Sequence, residues 1–301
     1  MVLNMDETAN RTKMHHLAEK LERAREFIEL NLDSDIDLDA LSGVACLSKF
    51  HFHRQFSIRY GVNVATYVRL LRLKKSSYQL VYRPDISVTD IALDCRYENS
   101  ESFSRAFRKV FGVSPSAFRQ APDWASWETH FDAIVRVRNE VYVNRTDFEV
   151  EIVDVPSITI AAMEHRDSPN RLGGTVGEFI EWRRANHCPP SKYRTFNLVF
   201  DDPDAVTDSS FRFDIGCELP ERADLSDPHI KVKTIEGGRC AKIRFVGSTD
   251  AIGVAVRHLY SPWLEQSGEK LRDFPVFFER INLFPEVPER EMITDIYLPI
   301  Q

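Results

Sequence analysis

The sequence predicts a multidomain chain: an all-α half built of two tandem helix–turn–helix units, then an α+β half with a pseudo-twofold (ββαββ)×2 layout. Three observations carry this. The phrase Phe52-His53-Arg54-Gln55-Phe56 before Gly61 returns 51 residues later as Phe103-Ser104-Arg105-Ala106-Phe107 before Gly112. Beyond about residue 147 the apolar pattern turns from helical to alternating, and a second repeat appears at an offset of 81–82 residues. The charge divides at the same place. Residues 11–120 hold 18 basic and 13 acidic side chains, whereas residues 121–301 hold 21 and 31.

The net charge of −7 therefore hides a basic half, suited to phosphate, and an acidic half suited to something else. A hydrophobic fraction of 43% with 28% charged residues is that expected of a soluble globular protein, and no apolar run approaches membrane-spanning length. The start of the sequence is polar and lacks the apolar stretch of a secretory signal, so a cytoplasmic location with no membrane partner is expected. Cys46, Cys95, Cys188, Cys217 and Cys240 are scattered and never spaced as CxxC. They read as buried free thiols, with no metal site and no cofactor expected.

Residues 1–13 read as a polar N-terminal tail. A first helix follows from about Met14 to Leu32, with Leu17, Leu21, Ala24, Ile28 and Leu32 at helical spacing. Asp37 caps a short helix through Ala45, and Ser48 caps the next, which ends near Gly61. A long charged helix spans about Val64 to Tyr82 and stops before Pro84; its Lys74 is a candidate phosphate contact. Ser87 and Asn99 cap two further helices, the second ending at Gly112, and Ser114-Pro115 opens another.

The two repeated helices separate into faces. Phe52, Phe56 and Tyr60, and likewise Phe103, Phe107 and Phe111, recur every four residues and belong to the core. The other faces carry Lys49, Phe50, His53, Arg54 and Ser57, and Ser100, Glu101, Ser104, Arg105 and Arg108. These side chains suit the major groove of double-stranded DNA. Arginine pairs bidentately with guanine, phenylalanine packs on a thymine methyl, and glutamate accepts from cytosine. His51 and His53, two apart, face different sides of a helix and do not make a metal site.

On these residues the half from Met14 to Arg119 resembles the AraC/XylS family of transcription regulators. The most specific stretch runs from Phe103 through Gly112-Val113-Ser114-Pro115 to Phe118-Arg119, with Ser48 to Phe56 before Gly61 as its partner. The resemblance implies seven helices, the long central one fixing the two units. It implies base contacts at Phe50, His53 and Arg54, and at Ser100, Glu101, Ser104 and Arg105. The family's usual turn glycines are replaced here by Cys46 and Arg96. A side chain at positive φ costs about 1 kcal/mol.

In the second half, Phe148 to Val153 is answered by Ile230 to Ile235, Arg194 to Val199 by Pro275 to Arg280, and Phe213-Asp214-Ile215 by Thr294-Asp295-Ile296. Each copy reads strand, strand, helix, strand, strand, with helices over about Thr175–Asn186 and Ser248–Gln266. The second helix shows an apolar stripe of Ile252, Ala255, Val256, Leu259, Tyr260 and Trp263. Two copies side by side leave a cleft between them. Glu279 alternates with Phe277 and Ile281, where the first copy has Leu198. A carboxylate on an apolar strand face calls for a cation. Glu279 with Phe277, Trp182, Tyr193, Trp263 and Tyr297 is thus a candidate receptor for a cationic, aromatic small molecule. The alternative is that Glu279 faces solvent or pairs with Arg280 or Arg244, the aromatics being core.

Phe278-Glu279-Arg280 and the ending Thr294 to Ile300 give this half, from about Phe148 to Gln301, a resemblance to the GyrI-like effector-binding domain. That resemblance implies a ligand-contacting glutamate at Glu279. The tyrosine common after it is replaced by Ile281 and Asn282.

The expected division is 1–13 tail, 14–120 DNA-binding domain, 121–147 connector with Trp124, Trp127, Phe131, Ile134 and Val137, and 148–301 effector-binding domain. The reading is a regulator, not an enzyme, whose partners are promoter DNA, a small-molecule effector and RNA polymerase. A hydrolase, or a module that binds a protein such as a topoisomerase, stands as the alternative for the second half. No nucleophile–base pair is visible in the sequence, so no catalytic residue is named.

Overall fold

Helix starts in the N-terminal half are set by side chains. Asp37, Ser48, Asn63, Ser87, Asn99 and Ser114 each accept a hydrogen bond from the backbone N–H three residues on. This satisfies a donor that has no partner inside the helix. The computed structural model describes residues 3–142, 148–203, 205–206 and 209–301. The capped helices are α2 (Leu38–Val44), α3 (Lys49–Tyr60), α4 (Val64–Tyr82), α5 (Val88–Asp94), α6 (Ser100–Phe111) and α7 (Pro115–Gln120), after α1 (Leu3–Leu30). Gly61 and Gly112 close α3 and α6 at φ 66° and 76°, where glycine has no Cβ to clash.

The first helix starts at Leu3, not near Met14. No proline or glycine interrupts 3–30. A stretch so polar carries no apolar stripe, so periodicity alone could not extend the helix.

The chain divides into two units: Met1–Ala121 with His130–Val141, and Pro122–Thr129 with Tyr142–Gln301. The expected 121–147 connector is thus shared between them; residues 143–147 lie outside those described. In the first unit α4 contacts α3, α5 and α7, bridging two helix groups. Helix α9 (Asp132–Tyr142) joins this unit through a buried ion cluster. Arg138, 2% exposed, donates to Glu29 Oε1 at 3.3 Å, Arg25 donates to the same oxygen at 2.7 Å, and the Tyr67 hydroxyl donates to it at 2.6 Å. In the second unit α8 (Trp124–Trp127) lies against the start of α10 (Leu172–Ala185). A Cβ on Gly173 would come within 2.5 Å of the Trp124 ring.

The second unit is built on one eight-stranded antiparallel sheet. Its strands are β1 (Glu151–Val155), β2 (Ile158–Arg166), β3 (Thr195–Val199), β4 (Arg212–Glu218), β5 (Ile230–Ile235), β6 (Gly238–Val246), β7 (Val276–Arg280) and β8 (Ile293–Pro299). Their order is β1-β6-β8-β7-β3-β4-β2-β5, which a pseudo-twofold axis between β7 and β3 maps onto itself. The copies do not simply lie side by side. Each gives its first strand to the other: β1 pairs with β6, and β5 with β2.

Strand alternation produces two faces. Helix α10 covers Ala161, Met163, Ile215 and Cys217, while α11 (Ile252–His258) covers Ala241, Ile243, Phe278 and Ile296, all on one face. The opposite face carries Ile160, Ala162, Phe196, Leu198, Phe277 and Tyr297. The expected Ser248–Gln266 helix is present over Thr249–Ser267, but its winding changes along its length. After α11 the backbone widens into a π turn over Leu259–Trp263 around Pro262, then resumes as α12 (Leu264–Ser267). Proline lacks the N–H that the α-helical ladder needs, and Tyr260 of this turn is exposed.

Candidate functional site

On α3 and α6 the predicted faces separate as the phenylalanine spacing requires. Phe52, Phe56, Tyr60, Phe103 and Phe107 are buried. Phe111 is only half-buried, its ring 4.2 Å from Phe107 and 5.2 Å from His130. On the outer faces Lys49, Phe50, His53, Arg54, Glu101, Arg105 and Arg108 are exposed, and Ser100 and Ser104 half-buried. Phe50 is 89% exposed, an aromatic ring left open to solvent among the described residues. Arg54, Arg105 and Arg108 form no ion pair among the described residues. Lys49 is engaged with Asp39.

Lys74 is not a phosphate contact. It is 2% exposed, on the face of α4 that also buries Leu70, Leu71 and Leu73. Arg69 and the half-buried Lys75 lie on the outer side of the same helix. The two turn positions that lack glycine do take the left-handed conformation, Cys46 at φ 49° and Arg96 at φ 63°. Cys46 is exposed rather than buried; the other four free cysteines are buried.

The second candidate site opens on the helix-free face of the sheet, at the β3–β7 junction between the two copies. A cavity of about 170 Å³ is lined by Val153, Asp154, Ile158, Arg194, Phe196, Lys242, Phe277, Glu279 and Tyr297, among others. Glu279 pairs across the strands with Phe196 on one side and Asp295 on the other. Its side chain is 13% exposed. The Tyr297 hydroxyl donates to Oε2 at 3.2 Å, and Arg194 Nη1 stands 3.7 Å from Oε1. The Phe277 and Tyr297 rings stack 4.8 Å apart at 9°. Burial, then the charges of Glu279 and Asp295, push the Tyr297 hydroxyl well above its usual range, which keeps it a donor.

Of the six predicted ligand residues, Glu279, Phe277 and Tyr297 come together; Trp182, Tyr193 and Trp263 do not join them. Trp182 and Tyr193 pack in the cluster under α10, and Trp263 in the cluster under α11, both on the opposite sheet face. The arginine beside Glu279 is neither Arg280 nor Arg244. Arg280 points to the helix side, bonding Asn197 and Thr294. Arg244 makes two 2.7 Å bonds to Asp295. Arg194 and Lys242 were missed. The signal was available: Arg194, Phe196 and Leu198 alternate, and a twofold that pairs the central strands sets Phe196 against Glu279.

Residues 148–301 match the GyrI-like small molecule binding domain family, and residues 41–121 match a helix-turn-helix domain family. The chain belongs to the GyrI-like family. Its second half is 37% identical over 153 residues to the probable transcriptional regulator YgiV of Escherichia coli strain K12, covering 50% of this chain and 96% of that protein. The first half is 35% identical over 103 residues to the right origin-binding protein of the same strain, covering 34% of this chain and 35% of that one. The crystal structure of the EcmrR C-terminal domain is 13% identical with a TM-score of 0.42, covering 52% of this chain and 98% of that one. An AraC-type helix-turn-helix joined to a GyrI-like domain is the composition of a DNA-binding transcription regulator with an effector domain.

Proposed function

We propose that a small aromatic effector held at Glu279 tunes how this GyrI-like regulator binds a promoter or engages RNA polymerase. The observation that carries the effector site is a carboxylate set beside two stacked rings in a cleft open to solvent. The DNA side rests on the uncovered Phe50, His53, Arg54, Glu101, Arg105 and Arg108, with Ser100 and Ser104 beside them. Ligand acts by stabilising one of two states of the chain, which requires different affinities for the two. The proposed role is non-enzymatic and cytoplasmic; no helix among the described residues is long and apolar enough to cross a membrane.

Mapping bound genomic sites gives the promoter, and the neighbouring genes suggest the effector class. Gel-shift titration and in vitro transcription on that promoter then compare protein with and without candidate aromatics. Ligand is expected to change promoter affinity or transcript yield, and Glu279→Gln to abolish the change while leaving ligand-free DNA binding intact. Equal DNA affinity and equal transcription with every candidate rejects the reading. Turnover of a ligand that vanishes in Glu279→Gln instead establishes an enzyme.

A further inference from the structure

The pocket carboxylate already has a counter-ion from its own chain. Three donors of Arg194 are held by Glu218 at the end of β4. The backbone N–H donates to Oε2 at 3.2 Å, Nε to Oε1 at 2.8 Å and Nη2 to Oε1 at 2.6 Å. The guanidinium lies 5.3 Å from the Phe196 ring centre. What remains is Nη1, and it faces Glu279 Oε1. Glu218, more than any other group, holds the Arg194 guanidinium above its ordinary range; an arginine is charged at any working pH in either case. The second oxygen of Glu279 takes the Tyr297 hydroxyl. Each oxygen therefore has a cation or a donor beside it before any ligand arrives. The neighbouring carboxylate across the strand, Asp295, is consumed by Arg244, and the other cation lining the cleft, Lys242, is paired with Glu151 at 3.0 Å.

We infer that Arg194 is the specificity-determining residue of this pocket, a resident counter-ion that a ligand must outcompete at Glu279. This deepens the effector reading above and rests on it. A quaternary ammonium brings charge but no N–H. Near Glu279 it meets a like charge at Arg194, which offsets part of its attraction to the carboxylate, although Glu218 and the second carboxylate of the lining, Asp154, temper that repulsion. An aromatic with N–H or O–H donors replaces the long 3.7 Å contact with short charge-assisted hydrogen bonds, and gains where the quaternary ion does not. The cleft, at about 170 Å³, has room for one ring and its substituent. The preferred ligand is thus a donor-bearing monocyclic aromatic, not a bare organic cation. Glu218 decides how strongly Arg194 competes. Its grip draws the guanidinium away from Glu279, and its loss would let Arg194 close onto that carboxylate.

The two partners of Arg194 therefore give opposite expectations. Calorimetric titration of the full chain with benzamidine and with benzyltrimethylammonium is the measurement, with thermal melting as the check on folding. Wild type is expected to bind benzamidine more tightly. Arg194→Gln is expected to tighten benzyltrimethylammonium binding about tenfold, which corresponds to about 1.4 kcal/mol. Glu218→Gln is expected to weaken it. General damage to the β3–β4 end would weaken both variants alike, so a parallel loss overturns the inference. Equal affinity of wild type and Arg194→Gln for the quaternary ion overturns it too and leaves the effector reading standing. No binding of either probe by any form removes the effector site at Glu279 and this inference together.

Discussion

Arg96 reaches Asp35 across 61 residues of sequence, with Nε at 3.2 Å and Nη2 at 2.8 Å from the same carboxylate oxygen. Arg96 stands in the turn before α6, and Asp35 in the segment before α2, so the contact ties the second helix–turn–helix to the first. Arg72 of α4 adds two bonds to the same segment, at Leu32 O (3.1 Å) and Ser34 O (2.8 Å). The side chain that costs backbone strain at φ 63° thus also makes a link that glycine could not.

Cys46 has the strain without such a link. Cys46→Gly is expected to stabilise the chain by about 1 kcal/mol, because only glycine adopts its φ freely. Arg96→Gly gains the same relief and loses an exposed, solvent-screened ion pair, so its net effect is smaller. Asp35→Asn loses the pair alone and destabilises slightly, most visibly at low salt. Urea denaturation at two ionic strengths ranks the three.

The Glu29 cluster is of another order because it is buried. Arg138→Met, or Glu29→Gln, is expected to cost about 3–5 kcal/mol by leaving a charge unmatched away from water. Burial alone would raise the Glu29 acid; Arg138 and then Arg25 outweigh it and hold the group at about 2, below its ordinary 4.5. With the folded value depressed, this stabilisation is complete above about pH 4.5 and fades as pH falls towards 2. The difference corresponds to roughly 3 kcal/mol. Denaturation curves from pH 6 to pH 2.5 should show that loss in wild type and a smaller one in Glu29→Gln.

On the DNA side, Arg54→Ala and Arg105→Ala are each expected to weaken specific binding by about 1–3 kcal/mol and to relax one position of the site. A uniform loss over all sequences would instead mark a phosphate contact. Arg69→Ala is expected to reduce the salt dependence of binding by about one unit of slope. Lys74→Ala should leave that slope alone and lower stability, since Lys74 is buried. Salt titrations of fluorescence anisotropy separate the two.

Gly173→Ala puts a methyl into the Trp124 ring, and overpacking of this kind costs about 1–3 kcal/mol. A lower melting temperature with altered tryptophan emission is the expected result. Gly174→Ala, whose Cβ would meet Trp124 only at 3.9 Å, should be nearly silent in comparison.

The helical half was readable because its signals are local. A cap and its N–H lie three residues apart, and the buried phenylalanines recur every fourth. Glu279 was also readable, as the polar member of an apolar alternation. What failed depended on contacts distant in sequence. Alternation says that Phe277 and Glu279 share a face, but not which face the helices cover, so Trp182, Tyr193 and Trp263 were assigned to the wrong side. Arg194 becomes the neighbour of Glu279 only once β3 is paired with β7. Lys74 was misread because a long lysine side chain was taken to be solvated, although the helix buries that stripe.

The exchange of β1 and β5 has a consequence for how such a domain can be taken apart. Each half of the sheet is completed by an edge strand from the other, so either copy on its own would leave β6 or β2 unpaired at an edge. Cutting the chain between β4 and β5 should therefore give two fragments that are separately insoluble and that regain structure when mixed, like two hands that close only on each other.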